Sequence, residues 1–262
     1  MQTLDPRRTS TAGMSVIISA WGVPKLLPSC LESFAAQENK AGLPLEIVLG
    51  FDGCTETRDA FLEMPPQGIS IRPYWFPENH GPYVVFNTLI TLARHPYLLF
   101  FGADDLALSG LTDAHCAMRM GYALVQQTCS NAGRASCGAF GVWIDAVEKV
   151  GGYRAWRCQA DSDFRHRIHR ARLPHGIAPG PLFQRRTHPR QLTRAEETRI
   201  GSPLRAEYRR LSKKVYAKDV WVEPVIAACV PLAYSTKAPV GPETVFYKHH
   251  LTYSTPWYSL VP

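Results

Sequence analysis

No C-x-x-C pair occurs among the seven cysteines, which lie singly at 30, 54, 116, 129, 137, 158 and 229. A scattered, odd-numbered set argues against a structural zinc site or a disulfide framework, and fits a reducing compartment such as the cytoplasm. Long apolar runs are also missing. The longest, Val84 to Ala103, is broken by Asn87, Arg94, His95 and Pro96, so it does not read as a membrane span. The opening, MQTLDPRRTSTAG, is polar and does not read as a secretory leader; residues 1–14 are expected to be loose. No fixed-period repeat is visible. Carboxylates are scarce in one region: residues 165–214 hold 3 of the 22 acidic side chains but 14 of the 29 basic ones. That segment carries +11 and the rest of the chain −4, giving the overall +7. A block of this kind can serve a phosphate-bearing partner, or be a solvated helix face.

What is present centres on residues 97–105, Tyr-Leu-Leu-Phe-Phe-Gly-Ala-Asp-Asp. An unbroken apolar run of this length reads as a strand buried on both faces, as in a parallel sheet. It runs straight into Asp104 and Asp105, which repel each other unless solvent, a cation or a donor sits at the strand tip. In open α/β sheets ligands bind at the carboxyl ends of strands, so this tip is a candidate site. A solvated turn would use the same residues.

The rest of the chain alternates around it. Ser15–Ser19, Leu45–Phe51 and Ile69–Trp75 read as strands, and Pro24–Gln37, Thr57–Met64 and Val84–Arg94 as helices between them. This is a Rossmann-like, doubly wound α/β pattern with a mostly parallel sheet and helices on both faces. Beyond it, Leu111–Met120 reads as helix, and Tyr122–Thr128 and Cys137–Trp143 as strands joined by a turn at Ser130–Gly133. Asp161–Arg172 and the segment opened by Ser202-Pro203 read as helices. Residues 216–262 are rich in proline and aromatics and carry no assignable element.

Six short runs, in order, resemble the family 2 glycosyltransferases of GT-A fold. Leu27-x-x-Cys-Leu-Glu-Ser-x-x-x-Gln37 resembles the family's first helix, and Phe51-Asp-Gly-Cys-Thr-Glu56 its Asp-Asp-Gly turn. Asn79-x-Gly81 with Asn87 has the family's spacing, and Phe101-Gly-Ala-Asp-Asp105 falls at its Asp-x-Asp metal motif. Val150-Gly-Gly-Tyr153 with Ala160-Asp-Ser-Asp-Phe164 resembles its catalytic segment, and Arg186-x-His188-Pro-x-Gln191 its late His motif. Phe51, Gly102 and Ala160 stand where the family has carboxylates. The likeness covers about Ser15 to Thr193, giving an expected GT-A domain at 15–193 and a basic helical, Pro- and aromatic-rich extension at 194–262 packed on it.

The resemblance implies an inverting, hexosyltransferase-type enzyme using a nucleotide diphosphate sugar, with UDP-sugar as the expected donor. Such transfer releases a diphosphate whose growing charge needs stabilising, and a divalent ion such as Mn²⁺ or Mg²⁺ on oxygen ligands supplies this. By resemblance Asp104 is its ligand, Asp105 acts through water or by orienting Asp104, and His188 is a third ligand or a phosphate contact. Asp52 would accept the base edge at uracil N3, while Asn79 and Gly81 would lie near the ribose or diphosphate. Asp161 aligns with the catalytic base, although an aspartate there also makes a helix N-cap. Asp163 and Arg167, four apart on one helix, are expected to pair structurally.

The acceptor is open from sequence. Arg205, Arg209 and Lys213 lie four apart on the last helix and could follow a nucleic-acid backbone. A hydroxymethylated base in DNA, flipped out of the stack, would offer a hydroxyl and is the favoured single acceptor. A glycan, lipid or protein hydroxyl, or a non-catalytic nucleotide-sugar- or nucleic-acid-binding module, are the alternatives. A nucleotidyltransferase is disfavoured, because Ser19–Pro24 has one glycine and no cation before Lys25.

Overall fold

The computed structural model describes residues 6–133 and 135–234; the Pro- and aromatic-rich stretch from 235 onward lies outside the described residues. The N-terminal half alternates β1 (Met14–Ala20), α1 (Leu27–Ala35), β2 (Leu45–Asp52), α2 (Thr55–Glu63), β3 (Ser70–Phe76), α3 (Pro82–Leu92) and β4 (Tyr97–Gly102). The four strands are parallel, and their register aligns their ends. Ala20 lies opposite Phe51, Ser19 opposite Gly102 and Asp52 opposite Phe76. The loops after β1, β2, β3 and β4 therefore leave from one rim of the sheet.

The second half adds β5 (Leu106–Ala107), α4 (Leu111–Met118), β6 (Leu124–Cys129), β7 (Ala135–Trp143), α5 (Ile144–Val150), α6 (Ala160–Arg170), β8 (His175–Gln184), α7 (Pro203–Arg210), a π turn at Leu211–Val215 and β9 (Val230–Pro231). The sheet order is β5-β8-β6-β7-β4-β1-β2-β3-β9. β7 enters antiparallel beside β4, so the sheet is mixed from that point on.

Helices cover both faces because the strands are apolar on both. Ile17, Val48, Leu98 and Phe100 pack under α3, α5 and α6, whose Leu89, Val147 and Phe164 face them. Val16, Ile18, Leu49 and Phe101 face the other way, onto Leu27, Leu31 and Phe34 of α1. The three-and-four spacing of those helical residues is what lets one helix close that face.

One expectation changes. Residues 6–14 are not loose: Arg8 pairs with Asp145 at 2.9 Å, and Arg119 donates to the carbonyls of Ser10 and Ala12 at 2.8 and 2.6 Å. Polar composition hid this, because the anchors are charge pairs and backbone bonds rather than apolar contacts. The extension, expected to pack on the domain, touches it among the described residues. Val222 bridges to Gly151, and β9 adds antiparallel to the edge strand β3. Among the described residues no helix is long and apolar enough to cross a membrane.

Candidate active site

The strand tips carry the chemistry. Asp52 ends β2, and its carboxylate holds the loop after β3: Oδ1 accepts the His80 N–H at 2.7 Å and Oδ2 the Gly81 N–H at 2.9 Å. Asn79 donates back to the Asp52 carbonyl at 3.2 Å. Asp52 is only 1% exposed, and burial raises its pKa against the lowering pull of those two N–H bonds. The expected contact from its carboxylate to a uracil edge is not what this geometry offers. The side chain is turned into the loop, where it fixes Asn79–Gly81 at the entrance to α3.

Beyond β4 the chain folds back over Gly102. A Cβ there would lie 2.8 Å from Asp104 Oδ1 and 3.0 Å from Asp105 Oδ2. A carboxylate at this position, as in the family motif, would push both aspartate side chains from where they now lie. Asp105 points inward. Its Oδ1 accepts the Arg186 N–H at 3.1 Å, and burial together with the charge of Asp104 pushes its pKa up to about 8. In this arrangement it braces the loop through the Arg186 N–H. Asp104 points outward, and its Oδ2 meets Gln191 Nε2 at 3.0 Å and His188 Nε2 at 3.2 Å.

Arg186 fixes this arrangement. It donates to the Asp104 carbonyl at 2.6 Å, to Ser29 Oγ at 2.6 Å and to the Leu26 carbonyl at 2.7 Å, joining the β4 tip to α1. The positioning by Arg186 and Gln191 was not foreseen from the sequence, although both lie in the run quoted with His188.

Among the described residues no three His, Cys, Asp or Glu side chains are gathered to hold a metal ion. Asp104 and His188 do converge as a pair. That fits a cation completed by substrate phosphates and water, the habit of Mg²⁺ at phosphate sites. Asp104 and His188 would hold it, and it would neutralise charge on a diphosphate.

Asp161 stands on the other side of the rim. It is in the first turn of α6 but is not its cap: Gln159 takes that place, in a left-handed conformation with no side-chain capping bond. Instead Asp161 Oδ1 accepts the Tyr83 hydroxyl at 3.1 Å. Tyr83 is buried, and burial plus the charge of Asp161 hold its pKa well above the usual phenol value, so it remains a donor. Asp161 Oδ2 faces Gly138 of β7, where an added Cβ would sit 3.7 Å away. Tyr83 follows Gly81 by two residues, so the Asp52 loop and Asp161 are linked through the start of α3.

Asp163 and Arg167 pair as expected, at 2.9 Å and fully buried. Arg167 also bonds the carbonyls of Val150 and Gly152, holding the Gly-Gly turn against α6. Asn87 binds the other side of that turn, with Nδ2 donating to the Tyr153 carbonyl at 2.9 Å and Oδ1 accepting its N–H at 2.8 Å. Two of the motif-bearing segments are thus structural, positioning the helix that bears Asp161.

The basic helix divides. Ser202 caps α7, accepting the Arg205 N–H at 3.2 Å. Arg205 is 8% exposed and donates to the Thr198 and Leu192 carbonyls at 2.7 and 3.1 Å, so it is not a phosphate contact. Arg209 and Lys213 are exposed. Their helix is held by Tyr208 stacked on Trp156 at 4.8 Å.

Residues 15–114 match the family model described as glycosyl transferase family 2. Over these residues the chain is similar to the family 2 glycosyltransferases, and its mixed α/β sheet has the GT-A fold. Staphylococcus aureus TarS 1-349 matches with TM-score 0.58 and 14% identity over 66% of this chain and 60% of that one. The same protein in complex with UDP-GlcNAc gives TM-score 0.58 and 14% identity over 67% and 59%. The mannosyltransferase PcManGT from Pyrobaculum calidifontis, in complex with GDP-Man and Mn²⁺, gives 0.56 and 14% over 80% and 72%. The chain thus spans about 60% of the length of the TarS fragment. No curated protein matches the sequence.

Proposed function

We propose that the protein is an inverting glycosyltransferase that moves a sugar from a nucleotide diphosphate sugar, with UDP as the nucleotide, to an acceptor hydroxyl. The observation that carries this reading is the Tyr83–Asp161 pair beside the rim that bears Asp104. A carboxylate with one oxygen held by a buried phenol and the other beside a glycine is oriented to take a proton from an incoming hydroxyl. That oxygen attacks the anomeric carbon while the C–O bond to the diphosphate breaks, and the electron pair leaves on the diphosphate. A single displacement of this kind inverts the anomeric centre. Gly81 and Asn79 line the loop nearest the donor end, and Asp104 with His188 would carry the cation that stabilises the leaving diphosphate. The complexes of neighbouring folds with UDP-GlcNAc and with GDP-Man and Mn²⁺ support the donor class.

For the acceptor, the exposed Arg209 and Lys213 favour a phosphodiester-bearing molecule, of which DNA with a hydroxymethylated base is the specific candidate. A glycan, lipid or protein hydroxyl is the outcome if phosphodiesters do not bind. Asp161→Asn tests the catalytic reading. Transfer, or leakage of UDP-GlcNAc to water with Mn²⁺, should fall roughly 10²–10⁴-fold while UDP affinity holds. Near-normal turnover in the variant would show that Asp161 only supports α6.

A further inference from the structure

Between α6 and the π turn lies an open cavity of about 230 Å³, lined by Gln159, Ser162, His166, Arg209, Ser212 and Lys213. We propose that this cavity is a subsite for a phosphodiester of the acceptor, next to the proton-accepting Asp161. The inference rests on the transferase reading given above and names the chemistry of its acceptor.

The wall is built for an anion. Arg209 and Lys213 supply full charges, Gln159, Ser162 and Ser212 supply neutral donors, and no carboxylate lines it. Neither cation has an ion-pair partner among the described residues, whereas the adjacent Arg210 is paired with Glu207 at 2.6 Å. Ser162 in the first turn of α6 also lines the cavity, so the positive end of that helix lies at its wall. Its two carboxylates do not cancel this. Asp163 is buried against Arg167 and Arg154, and Asp161 is turned to Tyr83 and Gly138.

The second wall is held in place. Ser212 is buried, and its hydroxyl lies 3.0 Å from His166 Nδ1, tying the π turn to α6. A π turn widens the helix by one residue, a distortion frequent at functional sites. A second hollow of about 190 Å³, also lined by His166, has the apolar Leu124 and Ile168 in its wall and is not part of the subsite.

The test compares wild type, Arg209→Gln/Lys213→Gln, and the charge-matched control Arg210→Gln/Lys214→Gln, whose residues do not line the cavity. Probes are oligothymidylate, an abasic phosphodiester oligomer of equal length and charge, and neutral dextran, each titrated at several salt concentrations. Wild type should bind both phosphodiester probes and not dextran. The cavity variant should weaken both, and its log–log salt slope should flatten by about 1.4 units, roughly 0.7 per phosphate contact on a single strand. The control should keep the wild-type slope within about half a unit. Equal losses in control and cavity variants would overturn the subsite in favour of diffuse surface charge. So would binding of oligothymidylate without the abasic oligomer, which would mean base recognition, and so would dextran binding as well as either. Metal-dependent hydrolysis of UDP-GlcNAc should be equal in the wild type and the Arg210→Gln/Lys214→Gln control. Its absence from both would end the transferase reading alone, because the phosphodiester titrations do not depend on turnover.

Discussion

Removal of one hydroxyl separates the roles at the rim. Tyr83 acts through Asp161, so Tyr83→Phe should lower kcat by freeing the carboxylate to turn away from the acceptor hydroxyl. A hydrogen bond to a charged group contributes about 1.5–3 kcal/mol, so the fall should be roughly ten- to hundredfold. The KM for the nucleotide sugar should not move. A raised KM with an unchanged kcat would leave Tyr83 with packing alone. The neighbouring aspartates make a second contrast. Asp104→Ala should remove the Mn²⁺-dependent part of UDP affinity, read by calorimetry with and without the ion. Asp105→Ala should instead lower thermal stability, since it strips the Arg186 N–H of its acceptor. Metal-independent UDP binding by the wild type would count against the cation. At this scale the sequence marks which residues cluster but not which way they point. Asp104 and Asp105 are equivalent as letters, and only the fold over Gly102 turns one outward and one into the Arg186 N–H. Asp52 misled in the same way, because its partners are backbone N–H groups that no motif displays.

Elements were legible where burial is two-sided. β1, β2 and β4 are apolar runs ended by turn or acidic residues, and their observed bounds differ from the expected ones by a residue or two. β8 had no such signature. His175–Gln184 contains two prolines and two glycines, and its pairing with β6 is irregular, so neither alternation nor a continuous apolar run marks it. The extension was opaque for a different reason. Residues 219–232 form few elements of their own and are held by others, through Arg154 to Asp219, Asn87 to Val225 and Pro73 to Leu232. Gly151 is where this strap meets the domain. Its φ is +72°, and a Cβ would fall 1.9 Å from the Val222 carbonyl oxygen. Gly151→Ala therefore strains the backbone and displaces the strap together. We expect a loss of about 2 kcal/mol or more, near 4–8 °C in Tm for a chain of this size. An unchanged Tm would mean that residues 222–227 are not held as described.

For the molecule as a whole, formal charge overstates what the surface presents. The +11 segment contains Arg167 and Arg205, both buried, and Arg186, which is committed to the β4 tip; each spends its donors on carbonyls or carboxylates inside the fold. What is left exposed is spread over Arg172, Arg190, Arg194, Arg199, Arg209, Arg210, Lys213 and Lys214, so the stripe expected from helical spacing keeps Arg209 and Lys213 but loses Arg205. Buried ionisable groups also set how the whole fold responds to acid. His115 is fully buried at the base of the sheet, with Nδ1 2.8 Å from the Tyr97 hydroxyl and both beneath Trp143. Burial and the nearby Arg119 charge lower its pKa from 6.5 to about 3. The unfolded chain therefore binds a proton below pH 6.5 that the folded chain refuses until about pH 3. Stability from this residue is fully present above pH 6.5 and falls as pH drops toward 3, by up to about 1.4 kcal/mol per pH unit. His115→Asn removes that titration. Denaturant melts of both proteins at a series of pH values isolate it, because every other group cancels in the difference. The wild type should lose ground to the variant steadily below pH 6.5 and hold a constant offset above it. A flat difference from pH 7 to 4 would mean that His115 takes up its proton in the folded state at the same pH as in the unfolded chain, and that acid sensitivity arises elsewhere.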